Sequence, residues 1–312
     1  MIDLDGPVTT DRLHSALTDL LGRLETQEYG FVSPTPSTHR RVASRLPRAR
    51  RGDLRDVFGW GRPFEPDDLD PTLLTLLREA RLLVEEGALF RSKVRVSTLD
   101  GRLHVHSARS GAQDAVFLGP DSYRFVRFLD ALTRDGVPCA TILDIGAGAG
   151  AGALAMAARR PDARVVAGDV NPLALTYLAA NAAHARLVVE TVEGAGPQAA
   201  SDEFDLIIAN PPYVAGGDGR IYRDGGGADL ALDWVETGLG RLRPGGRFAL
   251  YTGSPIIEGR DLLHAELERI AAGVGARLTY EELDPDVFGG MLGQQAYSQV
   301  ERIAAVGAVL TR

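Results

Sequence analysis

Before residue 112 the apolar positions recur mostly at helical spacing; from Thr141 onward they gather into short unbroken runs separated by helical stretches. Val8-Thr9-Thr10-Asp11 offers capping residues ahead of Leu13, Leu17, Leu20 and Leu21, which share one helix face. Residues 52–64, with Phe58, Trp60 and Phe64, read as irregular and aromatic. The spacing predicts a second helix from near Pro71 through Leu73, Leu76, Leu77 and Ala80 to Val84, stopping before Gly87. Lys93–Ser97 and Arg102–His106 then flank Asp100-Gly101, a strong hairpin signal. His104 and His106 fall on one strand face; with no third ligand they read as exposed polar residues, not a metal site. Helices followed by a hairpin predict a small, mainly helical, winged-helix-like domain over residues 1–112.

Residues 113–312 read differently. Val116–Tyr123 leads into a helical run through Phe125, Phe128, Leu129 and Leu132, where Asp121 is placed either to cap the helix or to contact a cofactor. Strands are expected near 141–145, 164–169, 187–192, 204–209, 246–252, 277–283 and 299–309, with a helix stop at Arg241–Gly246 before the fifth. Strands alternating with helices make an α/β domain, a parallel sheet with helices on both faces. The last two runs leave no room for a full helix between them, so they should pair antiparallel.

Composition narrows the class only a little. Of 312 residues 45% are hydrophobic and 24% charged, ordinary values for a soluble globular chain. Cys139 is the only cysteine, which excludes an internal disulfide and a cysteine-built metal cage. The start, Met1-Ile2-Asp3-Leu4-Asp5, lacks the basic and apolar parts of a secretory signal, and no run is long enough to cross a bilayer, so the expected location is cytoplasmic. The net charge of −8 is uneven: residues 1–112 hold 17 basic and 16 acidic residues, and the remainder 17 and 26. An acidic second half is not what a large nucleic-acid footprint shows. Arg40, Arg41, Arg45, Arg48, Arg50 and Arg51 are the exception, read first as a solvated basic face because Lys93 is the only lysine and arginine is the default cation here.

The chemistry concentrates at three strand ends. Thr141-Ile142-Leu143-Asp144-Ile145 runs into Gly146-Ala147-Gly148-Ala149-Gly150, whose glycines let backbone approach a ligand closely. A dinucleotide site would set a pyrophosphate on the following helix, and Asp144 would repel that anion while attracting a cationic sulfonium or amino group. The run Arg164–Gly168 ends in Asp169, placed either to accept from ribose hydroxyls or to cap the next helix. Phe204–Ala209 ends in Asn210-Pro211-Pro212-Tyr213. The two prolines carry no N–H and cannot extend the ladder, so backbone carbonyls there are left free to accept. Such a notch suits a flat –NH2 group held by both protons.

In this order the motifs resemble the class I S-adenosylmethionine-dependent methyltransferases, particularly the branch carrying Asn-Pro-Pro-Tyr, over about residues 115–312. The resemblance implies a seven-stranded Rossmann-like sheet of order 3-2-1-4-5-7-6, with S-adenosyl-L-methionine as cofactor. It places Asp144, Gly146, Ala147 and Gly148 around the methionine part, Asp169 and Val170 beside the ribose, and Asn210, Pro211 and Tyr213 around the acceptor nitrogen, Asn210 also bordering the cofactor. An Asp often binds adenine after the third strand; here Glu193-Gly194-Ala195-Gly196 leaves Glu193 as the stand-in. Within the branch the chain is most similar to the enzymes that methylate a glutamine amide in protein release factors. It departs from them in a shorter segment between Tyr213 and Asp224 and in an N-terminal part without their helical recognition domain. A nucleobase amine in RNA or DNA is the next acceptor, gripped through the arginine run, and a small molecule or peptide natural product the third. A nicotinamide-dependent oxidoreductase leaves Asn210–Tyr213 unexplained, and a non-catalytic module would not need Asp144 and Asn210.

Two loops carry substrate expectations. The glycine-rich stretch 214–228 follows Tyr213 directly and reads as a lid ordered by substrate, the alternative being a disordered insertion of no consequence. Phe288–Tyr297 joins the last two strands, either as a wall of the acceptor pocket or as a simple turn.

Overall fold

Thr9 caps the first helix, α1 (Thr10–Thr26), its side chain accepting from the Arg12 N–H at 3.4 Å. Thr35 caps α2 (Pro36–Ala43), which buries none of its residues. A π-helical turn at Arg55–Gly59 and a 3-10 turn at Pro66–Asp68 lead to α3 (Pro71–Glu79), capped by Asp70. The helix stops short of Val84: Arg81 takes φ +53°, and Leu83–Glu86 become β1, paired antiparallel with β2 (Leu89–Ser92). Gly87, at φ +67°, lets a two-residue turn join them. The hairpin β3 (Val94–Leu99) and β4 (Arg102–Ser107) turns at Asp100 and Gly101, both at positive φ, as a type I′ turn demands. The part expected to be mainly helical therefore holds two hairpins.

The chain continues through α4 (Pro120–Thr133), β5 (Thr141–Ile145), α5 (Ala151–Arg159), β6 (Arg164–Asp169), α6 (Pro172–Ala185), β7 (Glu190–Glu193) and β8 (Phe204–Ala209). It ends with α7 (Gly227–Leu239), β9 (Leu242–Ile257), β10 (Arg260–Asp261), α8 (Leu262–Val274), β11 (Arg277–Asp284) and β12 (Arg302–Thr311). A computed structural model describes residues 9–108, 114–134, 139–212 and 227–312. Asp121 is not the cap of α4 but lies in its first turn, buried, with Arg124 at 3.6 Å. The third sheet strand begins later than the apolar run Leu187–Val189 suggested, because Arg186 ends α6 at φ +55° and Val188 is left 85% exposed. Among the described residues no helix is long and apolar enough to cross a membrane.

The elements form two units. The first combines residues within 1–126 with 148–154 and 171–189. Here α1 buries Leu17, Leu20, Leu21 and Leu24 and packs along α6. Asn181 of α6 is wholly buried and ties three backbone groups: its side-chain oxygen accepts from Val105 N–H at 2.8 Å, and its amide donates to the carbonyls of Val105 at 3.2 Å and Ala149 at 2.9 Å.

His104 and His106 are buried in this unit, each 1% exposed, because β4 is covered on both faces. Polarity alone pointed outward; packing decides otherwise. His106 Nε2 lies 2.9 Å from Ser97 Oγ, and His104 Nδ1 3.2 Å from the Arg102 carbonyl. Burial pushes the His104 imidazole down to about 4 and His106 well below its ordinary value. Both are neutral when folded, while the unfolded chain takes up protons near pH 6.5. Their contribution is therefore whole above pH 6.5 and is lost as pH falls toward 4. Between pH 7 and pH 5, His104 alone should remove about 2 kcal/mol of stability. Urea midpoints measured at both pH values test this; an equal midpoint, or an unaltered slope in His104→Gln, would refute it.

The second unit comprises 127–147, 155–170 and 190–312, and its centre is a sheet ordered β7-β6-β5-β8-β9-β12-β11, with β10 folded back on β9. Strands β7 to β9 in that row pair parallel, whereas β12 runs antiparallel to both β9 and β11. Strands β5, β6 and β8 are buried almost end to end, as a sheet covered on both faces requires. Ala304, Val306, Ala308 and Leu310 of β12 share a core with Trp234, Val235 and Leu239 of α7 and Leu263, Leu267 and Ile270 of α8. Gly307 points the other way and leaves room for the Phe128 ring of α4. Asp205 pins β8 to β5, accepting from the N–H groups of Ala140 at 2.9 Å and Thr141 at 2.8 Å.

Candidate active site

The chain order β5, β6, β7 builds outward on one side of β5, and β8 returns to its other side. Neighbouring strands therefore leave the sheet in opposite directions between β5 and β8, the crevice where open α/β sheets bind ligands. The register aligns what stands there. Ile145 lies opposite both Gly168 of β6 and Ala209 of β8, and Asp169 lies opposite Glu193 of β7. Gly146, Asp169, Glu193 and Asn210 thus occupy one level at the carboxyl edge. Asp144 sits one residue below Ile145 on β5, 2% exposed.

The glycine turn is shaped by what surrounds it. Gly146 has φ +66°, and a Cβ on it would come within 2.7 Å of the Trp234 ring. Ala147 donates its N–H to the Gly168 carbonyl at 3.1 Å, joining the turn to β6. Gly148 has φ +55°, and a Cβ there would meet nothing within 4 Å. The first glycine makes room for a side chain; the second faces open space.

Asp169 does not cap α6. That task falls to Asn171, whose side chain accepts from the Leu173 N–H at 3.0 Å. Val170, between them, is 64% exposed, a large apolar surface at the sheet edge. Glu193 is exposed, Asn210 half-buried, Pro211 buried and Pro212 exposed. Tyr213 and the stretch expected to form a lid, as far as residue 226, lie outside the described residues. Between β11 and β12, Gly289–Met291 and Gln295–Tyr297 form 3-10 turns, and Phe288 takes φ +59°.

Trp234 was not singled out by its sequence position. It is 8% exposed on α7, and its ring also stands where a Cβ on Gly196 would fall, 2.9 Å from its Nε1. One side chain therefore braces both the turn after β5 and the turn after β7. Its rarity, one of two tryptophans, was the only available signal.

Two carboxylates at one edge of a sheet, a third just below it and an apolar side chain can attract a cation, accept from hydroxyls and support a flat ring. The comparisons point the same way. Residues 127–270 match the family model described as the methyltransferase small domain. The release factor glutamine methyltransferase of Deinococcus radiodurans is 33% identical over 166 residues, 52% of this chain and 58% of that protein. Its counterpart in Xylella fastidiosa is 36% identical over 159 residues, 46% of this chain and 56% of the relative. The chain thus spans somewhat over half the length of these curated relatives. Two solved structures agree in fold: Trm5b from Pyrococcus abyssi, at TM-score 0.50 and 16% identity over 73% of this chain and 62% of that one, and a putative transferase from Pyrococcus horikoshii, at TM-score 0.50 and 11% identity over 97% and 98%. Over residues 127–270 the chain is therefore similar to the S-adenosylmethionine-dependent methyltransferases, the release factor glutamine methyltransferases among them.

Proposed function

We propose that the chain is an N-methyltransferase acting on a planar nitrogen, most like the side-chain amide of a protein glutamine. The observation that carries this reading is Asn210, half-buried and level with Gly146, at the crevice between β5 and β8 and followed by two prolines. The curated relatives are named for methylation of glutamine in release factors, and the reading extends that acceptor class to this chain.

The edge residues fit S-adenosylmethionine. Asp144 opposes the positive charge of its methionine part, while Gly146, Ala147 and Gly148 let backbone come close, the open side of Gly148 leaving it space. Asp169, which does not cap α6, would accept from the ribose hydroxyls, and Val170 and Glu193 would stand at the adenine. A pyrophosphate would instead face Asp144 and Asp169, two like charges. When bound, the cofactor supplies an electrophilic methyl group.

The remaining work is positioning. An amide nitrogen is a poor nucleophile because its lone pair is delocalised into the carbonyl. Asn210 Oδ1 and the Pro211 carbonyl accept its two N–H groups and favour a pyramidal nitrogen whose lone pair faces the methyl group. Placement and preorganised acceptors of this kind supply several kcal/mol of a transfer barrier. The role left for Tyr213 on this reading is to stack on the acceptor plane, which would be worth about 0.5–1.5 kcal/mol. The nitrogen becomes acidic only once methylated, so no dedicated base is needed beforehand. Residues 113–312 carry this chemistry in a cytoplasmic setting, and 1–112 serve as an accessory domain.

Labelled methyl transfer in a lysate, fractionated into protein, nucleic acid and small molecules, tests the reading. Label in protein, released as methylglutamine, supports it; label confined to nucleic acid transfers the role to a base amine. No label in any fraction refutes it. For the cofactor, Asp169→Ala should weaken S-adenosylhomocysteine binding about tenfold or more by calorimetry, the scale of two lost hydrogen bonds. Equal affinity would remove Asp169 from the site.

A further inference from the structure

The first unit holds a pocket that methyl transfer does not use. Its volume is about 420 Å³, and His39 and Ala43 of α2, Leu46, Trp60, Arg62 and Arg91 line it. The half-exposed indole of Trp60 is held firmly: Phe31 meets it edge-on with ring centres 5.0 Å apart, and the His39 ring tilts against it at 5.6 Å. Two buried nitrogens of the lining, His39 Nδ1 and Arg62 Nε, have no hydrogen-bond partner among the described residues. Arg62 is 5% exposed, and its other nitrogens already donate to Asp56 and to the Val42 carbonyl at 2.9 Å. Buried polar atoms without partners are costly, so leftover ones beside an aromatic plane suit a flat ring with a polar edge.

The surface next to this pocket is basic. Arg40 and Arg41 in the last turn of α2, and Arg45 just beyond it, are exposed and make no side-chain hydrogen bond or ion pair among the described residues. Their neighbours differ: Arg48 is paired with Glu65, and Arg50 with Asp53 and Asp56. Favourable placement at a helix C-terminus accounts for Arg40 and Arg41, but not for Arg45. Nor does core packing explain the segment, since α2 buries no residue.

We propose that this surface binds a single-stranded polynucleotide, one base entering the pocket against Trp60 while adjacent phosphates meet Arg40, Arg41 and Arg45. A stacking aromatic beside a cationic track is the combination that holds unpaired strands. The pocket has room for a single base, and a base inside a duplex has both faces covered. The assignment concerns the first unit and does not depend on which nitrogen is methylated.

Binding is measured on the full chain without methyl donor, so its failure leaves the methyl-transfer reading untouched. The probes are a short oligoadenylate, its deoxy counterpart, free AMP and a polyaspartate peptide of matching charge. The expected result is binding of a strand with quenching of tryptophan emission, the quench vanishing in Trp60→Phe. A combined R40Q/R41Q/R45Q variant, altering only exposed side chains, should bind at least about tenfold more weakly. The slope of log affinity against log salt should fall by about 2, at about 0.7 for each lost phosphate contact. Preference between the two strands identifies the sugar, and either preference upholds the site. AMP reversing the quench identifies base capture. The proposal is overturned if neither strand binds at low salt, if the arginine variant binds unchanged, if polyaspartate matches the strand, or if the quench survives Trp60→Phe. Should Trp60→Phe not fold, the arginine variant decides alone.

Discussion

Asn210→Ala is expected to lower turnover by about 10²–10³-fold, far more than it weakens binding of S-adenosylhomocysteine. The asymmetry follows from what the side chain is proposed to hold. Asn210 accepts from the nitrogen that reacts, so its loss is felt in the transition state and hardly by the cofactor in isolation. Asn210→Gln should not rescue the rate, because one extra methylene carries the carbonyl oxygen away from its position at the strand end. Initial rates of label incorporation into the lysate's acceptor fraction, with calorimetry on the same variants, separate the two effects. Turnover equal to the unmodified chain would exclude Asn210 from acceptor binding.

The second large effect is on stability. Asp56→Asn should destabilise the first unit by about 3–5 kcal/mol, the range for breaking a buried ion pair from one side. Asp56 has no exposed surface; it accepts from the Arg50 N–H at 3.0 Å and Arg50 Nε at 2.8 Å, and it pairs with Arg62. Burial alone would raise its carboxyl, but the hydrogen bonds from Arg50 and the charges of Arg62 and Arg50 outweigh it and hold the group below the usual carboxylate range. The damage lies mainly with Arg62, which is 5% exposed and would be left as a buried charge. Arg50 can turn to solvent. An Asp56→Leu/Arg62→Met chain, which removes both charges, should therefore recover much of the loss. Urea midpoints followed by near-ultraviolet circular dichroism test both statements; a loss under about 1 kcal/mol would place the pair with exposed ones.

The mainly parallel sheet was legible because its strands are unbroken apolar runs that stop at glycine, aspartate or asparagine. Ile142–Ile145, Val165–Ala167 and Leu206–Ala209 are buried on both faces, and Asp144 is the one residue in these three runs that is not apolar. Local spacing failed where backbone conformation or tertiary cover decided. Leu83 and Val84 continue the helical spacing of α3, yet the positive φ of Arg81 breaks it and the two residues open a strand. His104 and His106 looked solvent-facing because their own hairpin says nothing about what covers it. At the candidate site, the order of Asp144, Asp169 and Asn210 along the chain was readable. The common level of Asp169 and Asn210 is a property of strand register, and the bracing by Trp234 depends on α7, reached only after a long intervening segment.

Asn181 links parts of the chain far apart in sequence. A single carboxamide satisfies both backbone groups of Val105 and the carbonyl of Ala149, in the turn that opens α5. Releasing it would orphan three buried polar groups together, each costly to leave unmade. Strand β4 and that turn should therefore breathe as one cooperative block rather than fray separately. Any tightening of the turn would then slow the opening of a hairpin whose residues lie some forty positions earlier in the chain.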